Sequence, residues 1–169
     1  WPTYQGNNQH TGLSPYNTSE NTGGLKWSLD LTDSIESSPV ISSDGTIYLA
    51  TSDNFYAIYS NGSIKWTIEN VGGYCTPSLD SSGNIYHSDG KLYSFAPDGT
   101  ERWNFSSNGA MLSPVVEPSG IVYAASDNGL FYAINSDGSE RWNVSLSGYS
   151  SFISSAVASD GTIYYATSN

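Results

Sequence analysis

The sequence predicts an all-β fold built from a repeat of about forty residues. Each repeat has the same order of segments: a strand of small residues, an Asp/Ser-Gly turn, an Ile-Tyr strand, an aromatic strand and an Asn/Asp-Gly turn. A period near 40 residues with four strands per unit is typical of β-propeller blades. We therefore predict a β-propeller of four-stranded antiparallel blades, with about four repeats of which three are complete. The repeat is marked by Trp27, Trp66, Trp103 and Trp142.

Alternating apolar residues and turn residues define the strands of each unit. In the first complete copy they predict strands at 35–42, 46–52, 55–59 and 63–68. The repeated tryptophan falls on the outermost strand, where its ring is expected to lie between neighbouring sheets. The predicted segments are a leader at 1–24, an outer strand at 25–31, blades at about 35–68, 74–105 and 110–144, and a partial blade at 152–169.

Glycine-containing pairs close the predicted hairpins. Asn-Gly and Asp-Gly pairs supply the positive φ angles of two-residue hairpin turns, so turns of that type are expected. The first hairpin of each unit closes at Asp44-Gly45, Ser82-Gly83, Ser119-Gly120 and Asp160-Gly161. The last hairpin closes at Asn61-Gly62, Asp98-Gly99 and Asp137-Gly138.

The predicted strands do not add up to a closed ring. One outer strand is followed by three complete blades and half a blade, and bare strand edges are rarely tolerated. Three explanations stay open. The repeats belong to a larger propeller, several copies assemble into one ring, or the leader at 1–24 completes a small propeller.

The repeats resemble the PQQ-like, or quinoprotein alcohol dehydrogenase-like, β-propeller repeat over about 25–169. The resemblance rests on an inner strand of the type Ser38-Pro39-Val40, an Asp-Gly-Thr-Ile-Tyr strand at 44–48, a Tyr-Ala-Ile hairpin at 56–58 and a terminal tryptophan. Residues 1–7 also look like the leader of many secreted relatives. The resemblance implies a propeller fold, in a family that includes dehydrogenases, outer-membrane assembly scaffolds, sensor domains and surface proteins.

The resemblance transfers no catalytic residue to this chain. The dehydrogenases are similar to one another in a vicinal cysteine pair facing the quinone and in a Glu/Asn/Asp set that binds calcium. Cys75 is the single cysteine, so a vicinal pair and an internal disulfide are both excluded. We therefore predict no catalytic residue, no cofactor and no metal site, and an enzyme is the less favoured reading. Cys75 itself is interpreted as a small buried residue, with a reactive thiol as the alternative.

Composition excludes further classes of function. The net charge is −11, with 16 acidic and 5 basic residues. Binding to nucleic acid needs basic residues that neutralise phosphates, so nucleic acid is not expected as a partner. The acidic charge also disfavours anionic membrane surfaces. No apolar run approaches the roughly 20 residues that span a bilayer, so direct membrane insertion is not expected.

Two sets of charged residues have both a structural and a functional interpretation. The turn aspartates lack the spaced pattern of a calcium loop, so turn formation explains them, and His10 and His87 lack a third metal ligand at a suitable spacing. The basic residues before each tryptophan are predicted to face water with Glu101 and Glu140 as partners; the alternative is a basic stripe that contacts an acidic neighbour. These basic residues are Lys26, Lys65, Arg102 and Arg141.

The sequence favours a non-enzymatic extracellular module that acts as a structural or binding scaffold at a cell surface or in a protein assembly. The expected partner is a protein, or the copies and blades that complete the ring, and carbohydrate is a further candidate. The periplasm is the alternative location. The alternative function is a fragment of a quinone-dependent or sugar-processing propeller enzyme whose catalytic residues lie outside this chain. Candidate N-glycosylation sites are Asn17, Asn61, Asn104 and Asn143.

Overall fold

The chain folds into a series of small antiparallel sheets. A computed structural model describes residues 19–146, 155–158 and 160–165. These residues form three four-stranded sheets and one two-stranded sheet. Within them there is no helix, and hence none long and apolar enough to cross a membrane. The predicted all-β class and the four-stranded blades are confirmed.

Each sheet is a meander in which successive strands are neighbours. Blade 1 contains β1 (Val40–Ile41), β2 (Ile47–Ala50), β3 (Asn54–Ile58) and β4 (Ile64–Glu69). Blade 2 contains β5 (Ser78–Leu79), β6 (Ile85–Asp89), β7 (Lys91–Phe95) and β8 (Glu101–Phe105). Blade 3 contains β9 (Val115–Val116), β10 (Val122–Ala125), β11 (Leu130–Ile134) and β12 (Glu140–Ser145). The half blade contains β13 (Ser155–Val157) and β14 (Ile163–Tyr165).

The innermost strands are shorter than the sequence predicts. In blade 1 the predicted strand at 35–42 is reduced to β1 and an isolated bridge between Ile35 and Thr51. Pro39 has no N–H to donate to a ladder. The Ser37 Oγ, and not a backbone carbonyl, accepts the hydrogen bond from the Ala50 amide at 2.7 Å. The missing N–H of Pro39 and the side-chain bond of Ser37 both interrupt the backbone ladder.

The outer strand predicted at 25–31 does not form. These residues belong to no sheet. A fourth strand pairs with the third strand of its own blade, and the described part of the chain contains no such strand before residue 25. Three of their apolar side chains still pack on blade 1, where they cover a buried cluster, whereas Leu25 is exposed. The cluster consists of Leu49, Tyr56 and Ile58, covered by Trp27, Leu29, Leu31 and Ile47.

The hairpin turns differ in type from the prediction. In the first turn the Gly45 N–H donates to the Ser42 carbonyl at 3.0 Å, and the Ser42 N–H donates to the Thr46 carbonyl at 2.9 Å. This pair of bonds defines a three-residue loop with a left-handed glycine that forms a bulge. The prediction of two-residue turns is therefore wrong, although glycine does supply the positive φ. The same arrangement recurs at Gly62, Gly83, Gly99, Gly120, Gly138 and Gly161.

The core lies between the blades and not inside any one of them. One face of each sheet packs on the next sheet, so that three buried clusters join blade 1 to blade 2, blade 2 to blade 3, and blade 3 to the half blade. The innermost strands touch in the same order, β5 with β9 and β9 with β13. Each blade is therefore stabilised mainly by its neighbours, as expected for a repeat architecture.

Candidate functional site

The repeated tryptophans join each blade to the next one. The Nε1 of Trp66, at the end of blade 1, donates to the Pro97 carbonyl in blade 2 at 3.1 Å. Trp103 in blade 2 donates to the Ser136 carbonyl in blade 3 at 2.9 Å. Trp27 makes the same bond to the Ser60 carbonyl of blade 1 at 2.9 Å. Each of these rings thus caps the last turn of the following blade.

Glycine in the last turn has a second role besides its backbone angle. A Cβ placed on Gly138 would lie 2.7 Å from the Trp103 ring, and one on Gly62 would lie 2.8 Å from the Trp27 ring. Real Cβ atoms do not approach other atoms so closely. The Asn-Gly and Asp-Gly turns therefore provide the flat surface on which the tryptophan of the preceding unit rests.

The basic residue before each tryptophan occupies a β-bulge. In blades 1 to 3 the pairing of the third and fourth strands shifts at this point, and Lys65, Arg102 and Arg141 are the unpaired residues. Arg102 Nη1 donates to Ser94 Oγ at 2.8 Å. Its Nη2 donates to the Ser136 carbonyl of the next blade at 3.4 Å. Arg102 therefore reinforces the contact between two blades.

The predicted acidic partners of these basic residues bond elsewhere. Glu101 Oε1 accepts a hydrogen bond from Asn104 Nδ2 at 2.7 Å, and Glu140 accepts the equivalent bond from Asn143. Within the described ranges the only ion pair joins Lys65 to Asp44 at 3.9 Å. Asp44 is largely exposed, so this pair contributes little to stability.

The turn aspartates are occupied by the turns themselves. Asp44 Oδ1 accepts the Thr46 N–H at 2.9 Å, and hydrogen bonds from Ser42 and Thr46 lower its pKa to about 2. Asp98, Asp137 and Asp160 each accept the amide two residues later. Bonds from the amide and then the side chain of Thr100 and Thr162 lower the pKa values of Asp98 and Asp160, and bonds from the Ser139 side chain and then its amide lower that of Asp137. The described residues hold no group of three or more potential metal ligands.

Three of the predicted glycosylation sites can be placed. Asn61 is exposed at the tip of the turn between β3 and β4. Asn104 in β8 and Asn143 in β12 are exposed at equivalent places of consecutive blades. Asn17 lies outside the described residues, as does His10. Glycosylation of these sites stays a prediction.

Three consecutive blades line a cleft of about 360 Å³. It lies at the end of the sheets where the second strand of each blade finishes and the chain approaches the innermost strand. We call this the cleft end; the glycine turns lie at the opposite end. The cleft lining includes Ser52 of blade 1, Tyr74, Cys75, Ser88 and Asp89 of blade 2, and Met111, Leu112 and Ser113 of blade 3.

The cleft coincides with a departure from the repeat. The second and third strands of blade 2 are joined more tightly than those of its neighbours, because Ser88 pairs with Leu92 whereas Ala125 of blade 3 pairs with Phe131. The shortened connection lies beside the cleft, whose lining includes Ser88, Asp89 and Gly90. Three residues separate the paired Ser88 and Leu92, against four between Ala50 and Phe55 of blade 1 and five between Ala125 and Phe131 of blade 3. This difference in length is small, and no motif in the sequence marks it as the place of a cleft.

Polar contacts hold the cleft walls together. Ser88 Oγ donates to the Leu112 carbonyl at 3.0 Å, and the Thr76 N–H donates to Ser113 Oγ at 3.2 Å. The Met111 N–H donates to the Gly90 carbonyl at 3.0 Å. These bonds connect blade 2 to blade 3 around the cleft, so the cavity is pre-formed.

A buried histidine supports one wall of the cleft. His87 Nε2 lies 3.0 Å from the Gly72 carbonyl, and its ring stacks on Phe55 with centroids 4.6 Å apart. Its Nδ1 faces the Cys75 backbone without a hydrogen bond of normal geometry. Burial lowers the pKa of His87 to about 4, although the backbone groups of Gly72 and Cys75 oppose this effect. His87 is thus a neutral support for residues 72–75.

The cysteine and the aspartate of the cleft differ in their surroundings. Cys75 is half-buried, and desolvation raises the pKa of its thiol, which favours the unreactive protonated form. Asp89 is exposed at the mouth of the cleft, yet partial desolvation raises its pKa. Its carboxylate has no hydrogen bond or ion pair with any residue in the described ranges. Lys91, which pairs with Asp89 across the short connection, is not within ion-pair distance.

Known proteins share this architecture. Residues 88–169 match a PQQ-type family model described as outer membrane protein assembly factor BamB. The predicted resemblance to PQQ-like β-propeller repeats is confirmed. No curated protein matches the sequence.

Solved structures extend the similarity to most of the chain. BamB from Moraxella catarrhalis is 17% identical with a TM-score of 0.67, over 85% of this chain and 47% of that one. A quinohemoprotein alcohol dehydrogenase, ADHIIG of Pseudomonas putida HK5, is 19% identical with a TM-score of 0.67, over 86% of this chain and 26% of that one. A Bacteroides caccae protein of unknown function is 14% identical with a TM-score of 0.55, over 78% and 55%. The chain spans about half of the first and third of these structures and a quarter of the enzyme, and the likeness shows the fold alone.

Proposed function

We propose that this chain is a non-enzymatic β-propeller scaffold that binds a protein partner. The observation that carries the proposal is the use of its polar side chains. The turn aspartates accept turn amides, His87 supports a loop, and Arg102 joins two blades. These side chains hold the blades in place, which is what a rigid binding platform requires.

The cleft end is the surface that best fits a partner. It combines a pre-formed cavity with walls supplied by three blades. The family model that matches residues 88–169 is described by a role in outer-membrane protein assembly, which is a task between proteins. We propose the extracellular or periplasmic space as the location. The polar surface, the acidic charge and the exposed Asn61 sequon are compatible with either compartment. Carbohydrate is proposed as a further ligand.

Site-specific photo-crosslinking in the source cells tests this proposal. A benzoylphenylalanine at Ser52, on the cleft end, should yield a discrete adduct with one protein. The same residue at Ser43, in a glycine turn at the opposite end, is the matched control and should yield none. Equal adducts from both positions would contradict a partner site at the cleft end.

The enzymatic alternative is tested separately. The protein purified from the source cells, with any residues that accompany these repeats there, is incubated with calcium, pyrroloquinoline quinone, a primary alcohol and a redox dye. A scaffold should give no dye reduction above the rate of the free quinone, whereas quinone-dependent turnover would overturn the proposed function.

A further inference from the structure

We propose that the cleft receives a lysine or arginine side chain of a partner protein, with Asp89 as its counter-charge. This inference rests on the proposed function and names the chemistry by which the partner is recognised. It is drawn from the position of the cleft, its charge and the composition of its walls.

The cleft lies where blade 2 departs from the common pattern of the repeats. Blade 2 has the buried His87, which supports a cleft wall, where blade 1 has Leu49 and blade 3 has Ala124. The shortened strand connection lies in the same blade. A repeat needs only its common residues to stack, so a concentration of departures around one cavity indicates a role other than stacking.

The charge at this end of the blades selects a cation. The acidic residues at the strand ends and connections here are Asp33, Glu36, Asp53, Glu69, Asp89 and Asp127, against Lys91. Asp33 accepts a hydrogen bond from Asn54, and Asp127 accepts one from Ala110. Asp89 has no such partner among the described residues, and it alone of the six lines the cleft. An anionic ligand would meet an unfavourable potential at this site.

The walls suit a long side chain with a charged end. Leu112 provides apolar surface for an alkyl stem, and Tyr74, which is 65% exposed, lies at the same cavity. An ammonium group donates three hydrogen bonds and accepts none. The Asp89 carboxylate and the hydroxyl oxygens of Ser52 and Ser113 are acceptors at the cleft. An aromatic ring adds attraction for a cation within about 6 Å of its centre.

The size of the cavity favours a single side chain. Sites for small molecules occupy roughly 300–1,000 Å³, and this cleft of about 360 Å³ is near the lower limit. A helix or a strand would not fit inside it. We therefore infer that a partner contributes one inserted basic residue, and that the rest of its surface rests on the rim.

The test uses two blocked amino acids that differ in charge. N-acetyl-lysine methylamide and N-acetyl-norleucine methylamide are titrated into the full chain while backbone amide NMR shifts are followed. The lysine probe should shift the amides of 73–75, 88–90 and 110–113, and the norleucine probe should bind at least about tenfold more weakly. Equal binding of the two probes would overturn the inference.

Two aspartate variants separate the cleft from general attraction to an acidic surface. Asp89→Asn should weaken binding of the lysine probe at least about tenfold. Asp53→Asn removes the same charge from the corresponding connection of blade 1, outside the cleft, and should change affinity less than about twofold. Equal losses in both variants would contradict a specific site. Ala110→Phe, at an exposed lining position, should block the lysine probe without altering the fold.

The outcomes also distinguish this inference from the proposed function. A crosslinked partner that persists unchanged in the Asp89→Asn variant would overturn the basic side chain as the recognised group and leave the scaffold standing. Quinone-dependent dye reduction would remove the scaffold whatever the probes show.

Discussion

At the scale of single residues, polar side chains in this protein replace backbone interactions that the short strands cannot make. Ser37 Oγ accepts the Ala50 amide in place of a carbonyl, and Asp44 Oδ1 accepts the Thr46 amide inside a turn. His87 is the extreme case, since it is fully buried and bonds a carbonyl in the loop before β5. Burial of a titratable group links its protonation to folding.

His87 predicts a loss of stability in mild acid. Its pKa is about 4 in the folded chain against 6.5 for an ordinary histidine, so the unfolded chain binds an extra proton between these values. The free energy of unfolding is not reduced by protonation of His87 above pH 6.5. It decreases as pH falls towards 4, by on the order of 3 kcal/mol in total. His87→Leu introduces the residue type that blade 1 has at this position, where Leu49 stands. This variant should flatten the dependence of the unfolding free energy on pH. Urea unfolding between pH 7 and pH 4 measures it.

A second variant separates titration from packing. His87→Leu should lose about 1–2 kcal/mol at pH 7, because the Gly72 carbonyl is left without its donor. His87→Gln retains a side-chain donor without a titrating group, so it should lose less at pH 7 and show an equally flat profile. An undiminished decrease of stability in both variants would assign the pH dependence to other groups.

At the scale of elements, the bulged turn is the unit on which the blades are joined. Its glycine satisfies a backbone requirement in the turns between first and second strands, and it also makes room for a tryptophan in the turns between third and fourth strands. Gly45 and Gly138 show the two cases, with φ values of 83° and 89°. A Cβ on Gly45 would meet only Ser60 at 3.6 Å, whereas one on Gly138 would lie 2.7 Å from Trp103.

Alanine substitutions should separate these two requirements. Gly45→Ala should cost about 1–2 kcal/mol, because the left-handed conformation is strained for a residue with a Cβ. Gly138→Ala should cost at least about 1 kcal/mol more, since the Trp103 ring must move and its bond to the Ser136 carbonyl is disturbed. Thermal and urea unfolding of both variants measure the difference. Equal costs would mean that the ring adapts without penalty.

The sequence predicts the elements better than the contacts between them. Strand order and the position of each turn follow from local periodicity and from glycine, which act over a few residues. The bulge at Lys65, Arg102 and Arg141 is not visible locally, because it depends on the register of two paired strands. The tryptophan bonds join residues 31 to 33 positions apart, and the bonds around the cleft join residues 21 to 37 positions apart. Their partners therefore emerge only once the blades are stacked.

At the scale of the whole molecule, stability is expected to be distributed over interfaces between consecutive blades. Phe55 of blade 1 packs on Phe95 of blade 2, and Phe131 of blade 3 packs on Tyr165 of the half blade. Such a series behaves approximately as a sum of units and nearest-neighbour interfaces. A weakened interface should therefore affect the two blades beside it more than distant ones.

Tryptophan substitutions test this nearest-neighbour behaviour. Trp103→Ala removes the ring on Gly138 and the bond to the Ser136 carbonyl. It should lower the free energy of unfolding by about 3 kcal/mol, which is at the lower end for a large aromatic residue because the ring is half-buried. Trp142→Ala is the matched control: its ring is 38% exposed and its indole N–H has no acceptor among the described residues, so it should cost clearly less. Hydrogen exchange of Trp103→Ala should show lost protection in blades 2 and 3 before blade 1, because the interface between blades 1 and 2 retains Trp66 on Gly99. Uniform loss of protection across all three blades would instead show that the stack unfolds as one cooperative unit.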